Sequence, residues 1–114
     1  MKIQHFILII ILITGCSKRL EIPSDLYNRE MMANIMTDVY VLEFKVKEVK
    51  VNHDSLQKIY NLYEKELFQE KGYDSLKYRK SLEFYIDQPE HIEYIYSLIA
   101  DSLSVRNQIQ EFEH

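Results

Sequence analysis

Residues 29–51 read REMMANIMTDVYVLEFKVKEVKV, and their apolar members decide the fold class. Met32, Ile35, Val39, Leu42, Val46 and Val49 recur at alternating spacings of three and four, the stripe that one face of an α-helix buries. Against this, Val39, Val41, Val46, Val49 and Val51 are β-branched and lose rotamer freedom in a helix. Lys45 to Val51 also alternates polar and apolar for part of its length, as a half-buried strand does. The helical period covers more of the stretch, so a helix is predicted to about Lys50. Its start is placed at Pro23-Ser24-Asp25, with Ser24 as N-cap and Asp25 in the first turn, where the helix dipole favours a carboxylate.

Working outward, Asn52-His53-Asp54-Ser55 is a turn and cap cluster, after which Leu56, Ile59, Tyr60, Tyr63 and Leu67 trace a second helical face. Gly72 closes it in the position that favours a left-handed backbone. Asp74 or Ser75 caps a third, shorter segment, with Leu76, Ser81, Leu82, Tyr85 and Ile86 as its face. It stops before Pro89, because proline disfavours the helical conformation at Gln88. Pro89 fits the first turn of a fourth helix, along which Ile92, Ile95, Tyr96, Ile99 and Leu103 form the apolar side. The expected fold is all-α, a small four-helix bundle-like domain over residues 23–108, with residues 109–114 as a fraying tail.

The composition agrees with one globular domain: 46% hydrophobic and 28% charged residues over 114 positions. A lone Cys excludes an intramolecular disulfide framework and a Cys-rich zinc module. With 14 basic residues against 18 acidic ones, no nucleic-acid partner is expected.

Ahead of the domain, Lys2 precedes the unbroken apolar run Phe6 to Ile13. A spanning helix needs about 20 apolar residues and a secretory core only about 7 to 15, so the run reads as a signal peptide. Ile13-Thr14-Gly15-Cys16 resembles a bacterial lipobox. That resemblance implies a diacylglycerol thioether on Cys16, cleavage between Gly15 and Cys16, and acylation of the new amino group. Residues 1–15 are then the signal peptide and 16–22 the lipidated Cys and tether, with the covalent lipid as the only cofactor-like group. Several acyl chains anchor a protein stably where one does not. By the same resemblance, Ser17 and Lys18 carry no aspartate retention signal and no acidic export run follows, so the periplasmic leaflet of the outer membrane is the expected location. Six residues separate Cys16 from Pro23 and reach about 20 Å when extended, which keeps partners near the membrane.

From Gly72 the chain reads GYDSLKYRKSLEFY, followed by Pro89-Glu90, Ile95-Tyr96 and Leu103. Pro23, Met32, Ile35, Asp38, Val39, Leu42 and Glu43 precede it. This order resembles domain-of-unknown-function family 4296, small Bacteroidota lipoproteins, over most of residues 22–104. The resemblance implies a helical domain in the envelope, with Ser81, Tyr85 and Pro89 as signature positions, and it implies no activity.

Ser81 and Tyr85 stand at i,i+4, a hydroxyl pair of the kind that orients a ligand or, more often, packs helices closely with the Tyr ring buried and its hydroxyl satisfied. Asp38 and Glu43 are five apart and do not stack as an acid–base pair. Asp38 fits a partly buried hydrogen bond. Glu111-x-x-His114 is half of a di-iron motif with no second copy, and His53 and His91 stand alone, so no metal is expected. No nucleophile–base grouping or phosphate loop can be assembled, and the chain is not read as an enzyme. Of nine tyrosines, Tyr60, Tyr63, Tyr78, Tyr85, Tyr94 and Tyr96 concentrate in the later helices, which fits either an interface or an aromatic-rich core. Asp38, Tyr78, Ser81, Tyr85, Pro89, Tyr94 and Tyr96 are the candidate interaction or signature positions. The expected role is a membrane-anchored, non-enzymatic module that binds an envelope protein, as an accessory subunit of an outer-membrane assembly or transport complex. The alternative is a carrier or chaperone for a lipid or apolar peptide, motivated by Met31, Met32 and Met36 beside Tyr40. A Cys16→Ala variant is expected to take up no fatty-acid label in growing cells and to keep its signal peptide; mass spectrometry of the purified chain reads both.

Overall fold

Short polar side chains begin three of the four helices described from Arg29 onward, each standing in for an acceptor that the first turn lacks. The computed structural model describes residues 2–4 and 21–113; Gly15, Cys16 and most of the leader and tether lie outside these. Within them α1 is Arg29–Lys47, α2 His53–Lys71, α3 Ser75–Ile86 and α4 Pro89–Glu113. No strand occurs among the described residues, and no helix there is long and apolar enough to cross a membrane. Asn28 Oδ1 accepts from the N–H of Met31 at 2.8 Å, Asn52 Oδ1 from Ser55 at 2.8 Å, and Asp74 Oδ1 from Lys77 at 3.0 Å. Gly72, at φ 71°, ends α2 in the left-handed conformation, and the N–H of Tyr73 reaches back to the Phe68 carbonyl at 2.9 Å, closing a Schellman turn.

The start of the first helix corrects the sequence reading. Ser24 is not its N-cap: Leu26 N–H donates to the Pro23 carbonyl at 3.2 Å, which closes a turn, and Asn28 is extended at ψ 170°. Residues 21–28 form a strap ahead of α1. At the other end α1 stops at Lys47 rather than Lys50. Val49 N–H turns back onto the Val46 carbonyl at 3.0 Å, and Val49 and Val51 are exposed. With no apolar surface to cover, β-branched residues have nothing to offset their poor helix propensity.

Met32, Ala33 and Met36 of α1, Tyr85 of α3, and Ile95 and Ile99 of α4 make the buried cluster. Ile22, Tyr27, Tyr78, Leu82, Phe84, Ile92, Leu98 and Leu103 pack around it. α1 and α4 form the main interface, and α2 packs on α1. The pairs Glu30–Tyr94 and Asp38–Arg106 ascend together, so α1 and α4 run in the same direction. The predicted faces hold for Met32, Ile35, Val46, Ile95 and Ile99. They fail for Tyr63, Leu76, Ile86 and Tyr96, which are exposed. On α3 the inward row is Tyr78, Ser81, Leu82 and Tyr85, so the small Ser81 lies inside while Leu76 lies outside. Residues 109–113, read from sequence as tail, continue the helix, and 104–111 are exposed. Asn28→Ala is expected to cost about 1 kcal/mol, and Ser24→Ala less than about 0.5 kcal/mol, in urea unfolding.

Candidate functional site

An extended strap has no helical ladder to satisfy its backbone, so its polar groups need partners elsewhere. Tyr27 finds them on α3. Its N–H donates to Ser81 Oγ at 2.9 Å, and its carbonyl accepts from the Tyr85 hydroxyl at 2.7 Å. Ser81 in turn donates to the Lys77 carbonyl at 2.7 Å. The Tyr27 hydroxyl accepts from the N–H of Asp74 at 2.9 Å, and the Lys77 ammonium sits 4.7 Å from the centre of its ring. Ser81 and Tyr85 are both fully buried. The i,i+4 pair therefore clasps the strap and does not line an open site.

A second junction ties three elements through Asp38. Its Oδ2 accepts from the Tyr73 hydroxyl at 2.7 Å and its Oδ1 from Arg106 at 3.0 Å. Glu43, the other acid of α1, instead pairs with Lys47 at 3.1 Å, an exposed pair of small energetic weight. The two acids do not converge. Burial first, and then the bond to Asp38, push the Tyr73 phenol up to about 12. Burial, with Glu64 nearby, raises Tyr78 to about 12; its ring meets Phe68 edge to face at 5.4 Å.

Tyr40, Tyr63, Tyr94 and Tyr96 are exposed, and Tyr60 is half-buried. Tyr94 donates to Glu30 at 3.2 Å and carries Arg29 on its face at 4.1 Å. Tyr96 and Tyr40 are exposed and adjacent; partial burial and then the Tyr96 hydroxyl raise the Tyr40 phenol. Phe44, one turn beyond Tyr40, is 67% exposed. Pro89 opens α4, with Ile92 N–H closing its first turn on the Gln88 carbonyl at 3.0 Å. An open cleft of about 360 Å³ lies where α1 meets α2, between Glu43, Val46, His53, Leu56 and Tyr60. His91 packs edge-on against Tyr85 at 5.7 Å with its Nδ1 buried and unpartnered. Among the described residues no three acidic, His or Cys side chains converge as metal ligands; His114 lies outside them.

Of the sequence candidates, Tyr78, Ser81, Tyr85 and Pro89 thus belong to the scaffold and Asp38 to a junction, whereas Tyr94 and Tyr96 lie at the surface. Tyr27, Tyr73, Arg106 and Phe44 were not singled out. The clasp joins positions 54 and 58 residues apart, which no local spacing reveals. Phe44 does have a signal, since it falls outside the apolar stripe of α1. Compared with known families, the chain matches a domain of unknown function, DUF4296, over residues 23–109. No curated protein and no solved structure matches it.

The raised tyrosines carry a pH dependence whose sign follows from linkage. A phenol at about 12 in the folded state against 10.0 unfolded contributes stability that is present below pH 10 and lost as pH climbs through 12. Urea midpoints are expected to fall over that window, and Tyr78→Phe to lessen the fall; parallel curves for the two proteins would contradict it.

Proposed function

The chain belongs to the DUF4296 family, and we propose that it is a lipid-anchored protein of the periplasmic leaflet of the outer membrane whose helical domain binds a protein partner without catalysis. An accessory subunit of an envelope assembly or transport complex has these properties. The anchor is supported by the Gly15-Cys16 junction at the end of the apolar leader. The binding role is carried by one observation: Tyr40, Phe44 and Tyr96 stand exposed and are not used by the fold. Aromatic side chains concentrate at the centres of protein interfaces, where a few of them supply most of the affinity. Phe44, two-thirds exposed, offers apolar area for a partner to cover.

The carrier alternative drew on Met31, Met32 and Met36. Met32 and Met36 are buried in the core, so packing accounts for those two, while Met31 is only half-buried and lines the open hollow beside Ile22 and Leu26. Gentle solubilisation of native membranes, with size-exclusion chromatography of the C-terminally tagged chain, tests the proposal. The tagged chain is expected to elute with an envelope protein, and the Phe44→Ala/Tyr96→Ala variant to elute alone with its urea midpoint almost unmoved. Elution of the unsubstituted chain as a lone species would overturn the reading.

A further inference from the structure

We propose that the outward face of α3, formed by Leu76, Arg79 and Lys80, sits on the anionic phospholipid headgroups of the membrane that anchors the chain. This rests on the lipid-anchor reading above and adds an orientation to it. Two independent observations carry it, one of geometry and one of charge.

The geometric observation is where the tether ends. Ile22 packs against the core and Tyr27 is clasped to α3, so the strap does not extend the reach of the anchor. Only five residues lie between Cys16 and Ile22, a reach of about 18 Å at full extension. The bilayer is therefore within a short distance of the strap, and α3 is the helix to which the strap is fixed. An open hollow of about 520 Å³ marks the same end, between Ile22, Pro23, Leu26, Met31 and Lys77.

Charge supplies the second observation. The chain has a net charge of −4, yet α3 carries Lys77, Arg79 and Lys80 against Glu83 alone. α4 is the reverse, with Glu90, Glu93, Asp101, Glu111 and Glu113 against Arg106. Lys71 stands just before the turn that leads into α3, and the strap carries Glu21 and Asp25. Leu76, Arg79 and Lys80 stand at i, i+3 and i+4, on one face. All three are exposed, Leu76 at 60%, and the ion pairs among the described residues engage neither Arg79 nor Lys80. Glu83 and Asp87 lie towards the far end of the helix, so its basic part is the half nearest Asp74 and the Tyr27 hydroxyl. An anionic bilayer surface attracts such residues within a Debye length and repels the acids of α4, and an exposed Leu among them can enter the headgroup layer.

The test uses the full lipidated chain, reconstituted into vesicles of phosphatidylcholine alone or mixed with phosphatidylglycerol. Flotation reports the anchor, and amine acetylation read by mass spectrometry reports the face. On the mixed vesicles, acetylation of Lys77 and Lys80 is expected to drop roughly fivefold, the weight of one basic residue at an anionic surface. Lys58 and Lys65 of α2 are expected to react equally on both. Arg79→Glu/Lys80→Glu is expected to float as well and to lose the protection of Lys77. Flotation with equal acetylation on the two vesicles would overturn the orientation and leave the anchor standing. Failure to float, with a free Cys16 thiol, would overturn both. Protection that arises only when an envelope protein extract is added would assign the face to a protein and overturn the lipid contact.

Discussion

Tyr27 is held by its backbone N–H, its backbone carbonyl, its hydroxyl and its ring, and every one of those contacts is made by the segment from Asp74 to Tyr85. The strap cannot satisfy itself as a helix does, and two backbone groups left unpaired against the core would each cost about 1–3 kcal/mol. Ser81 and Tyr85 remove that cost from one face of α3. Asp74 serves twice, since its carboxylate caps α3 while its N–H takes the Tyr27 hydroxyl. The strap, the start of α1 and the setting of α3 are thereby fixed together, with the buried cluster of α1, α3 and α4 beneath them.

The same clasp divides the tyrosines by task. Tyr27, Tyr73, Tyr78 and Tyr85 are spent on joining elements, with hydroxyls or rings in defined contacts. Tyr40, Tyr63, Tyr94 and Tyr96 stay at the surface. Basic charge collects on α3, beside the strap, and acidic charge on α4. In our reading the first side belongs to the bilayer and the aromatic ridge of Tyr40, Phe44 and Tyr96 to a protein, so one small domain presents different chemistry to each neighbour.

Much of the fold was legible because helices obey local rules. The three-and-four spacing from Met32 to Val46, the caps at Asn52 and Asp74, the left-handed Gly72 and the break before Pro89 all lie within a few residues of what they control. The errors arose where a distant partner outweighed a local preference. Ser24 is a good capping residue in the wrong place, because Tyr27 is drawn out onto α3 and the helix cannot start until Asn28. Leu76 and Ser81 read as one face, but only Ser81 lies inside, because the inward row of α3 is set by what must reach Tyr27. The candidate site was less legible still. Ser81 and Tyr85 are an i,i+4 pair in sequence, but the strap they hold is more than 50 residues away. The surface tyrosines could be told from the buried ones only once the helices were set against one another.

Hydrogen–deuterium exchange across residues 22–28 tests the clasp most directly. The account predicts that the Tyr27 amide, bonded to the buried Ser81, exchanges as slowly as the core amides of α1 around Met36, because both open only when the domain unfolds. Exchange of Tyr27 at the rate of free chain while α1 stays protected would mean that the strap is not fixed to α3, and would contradict the account.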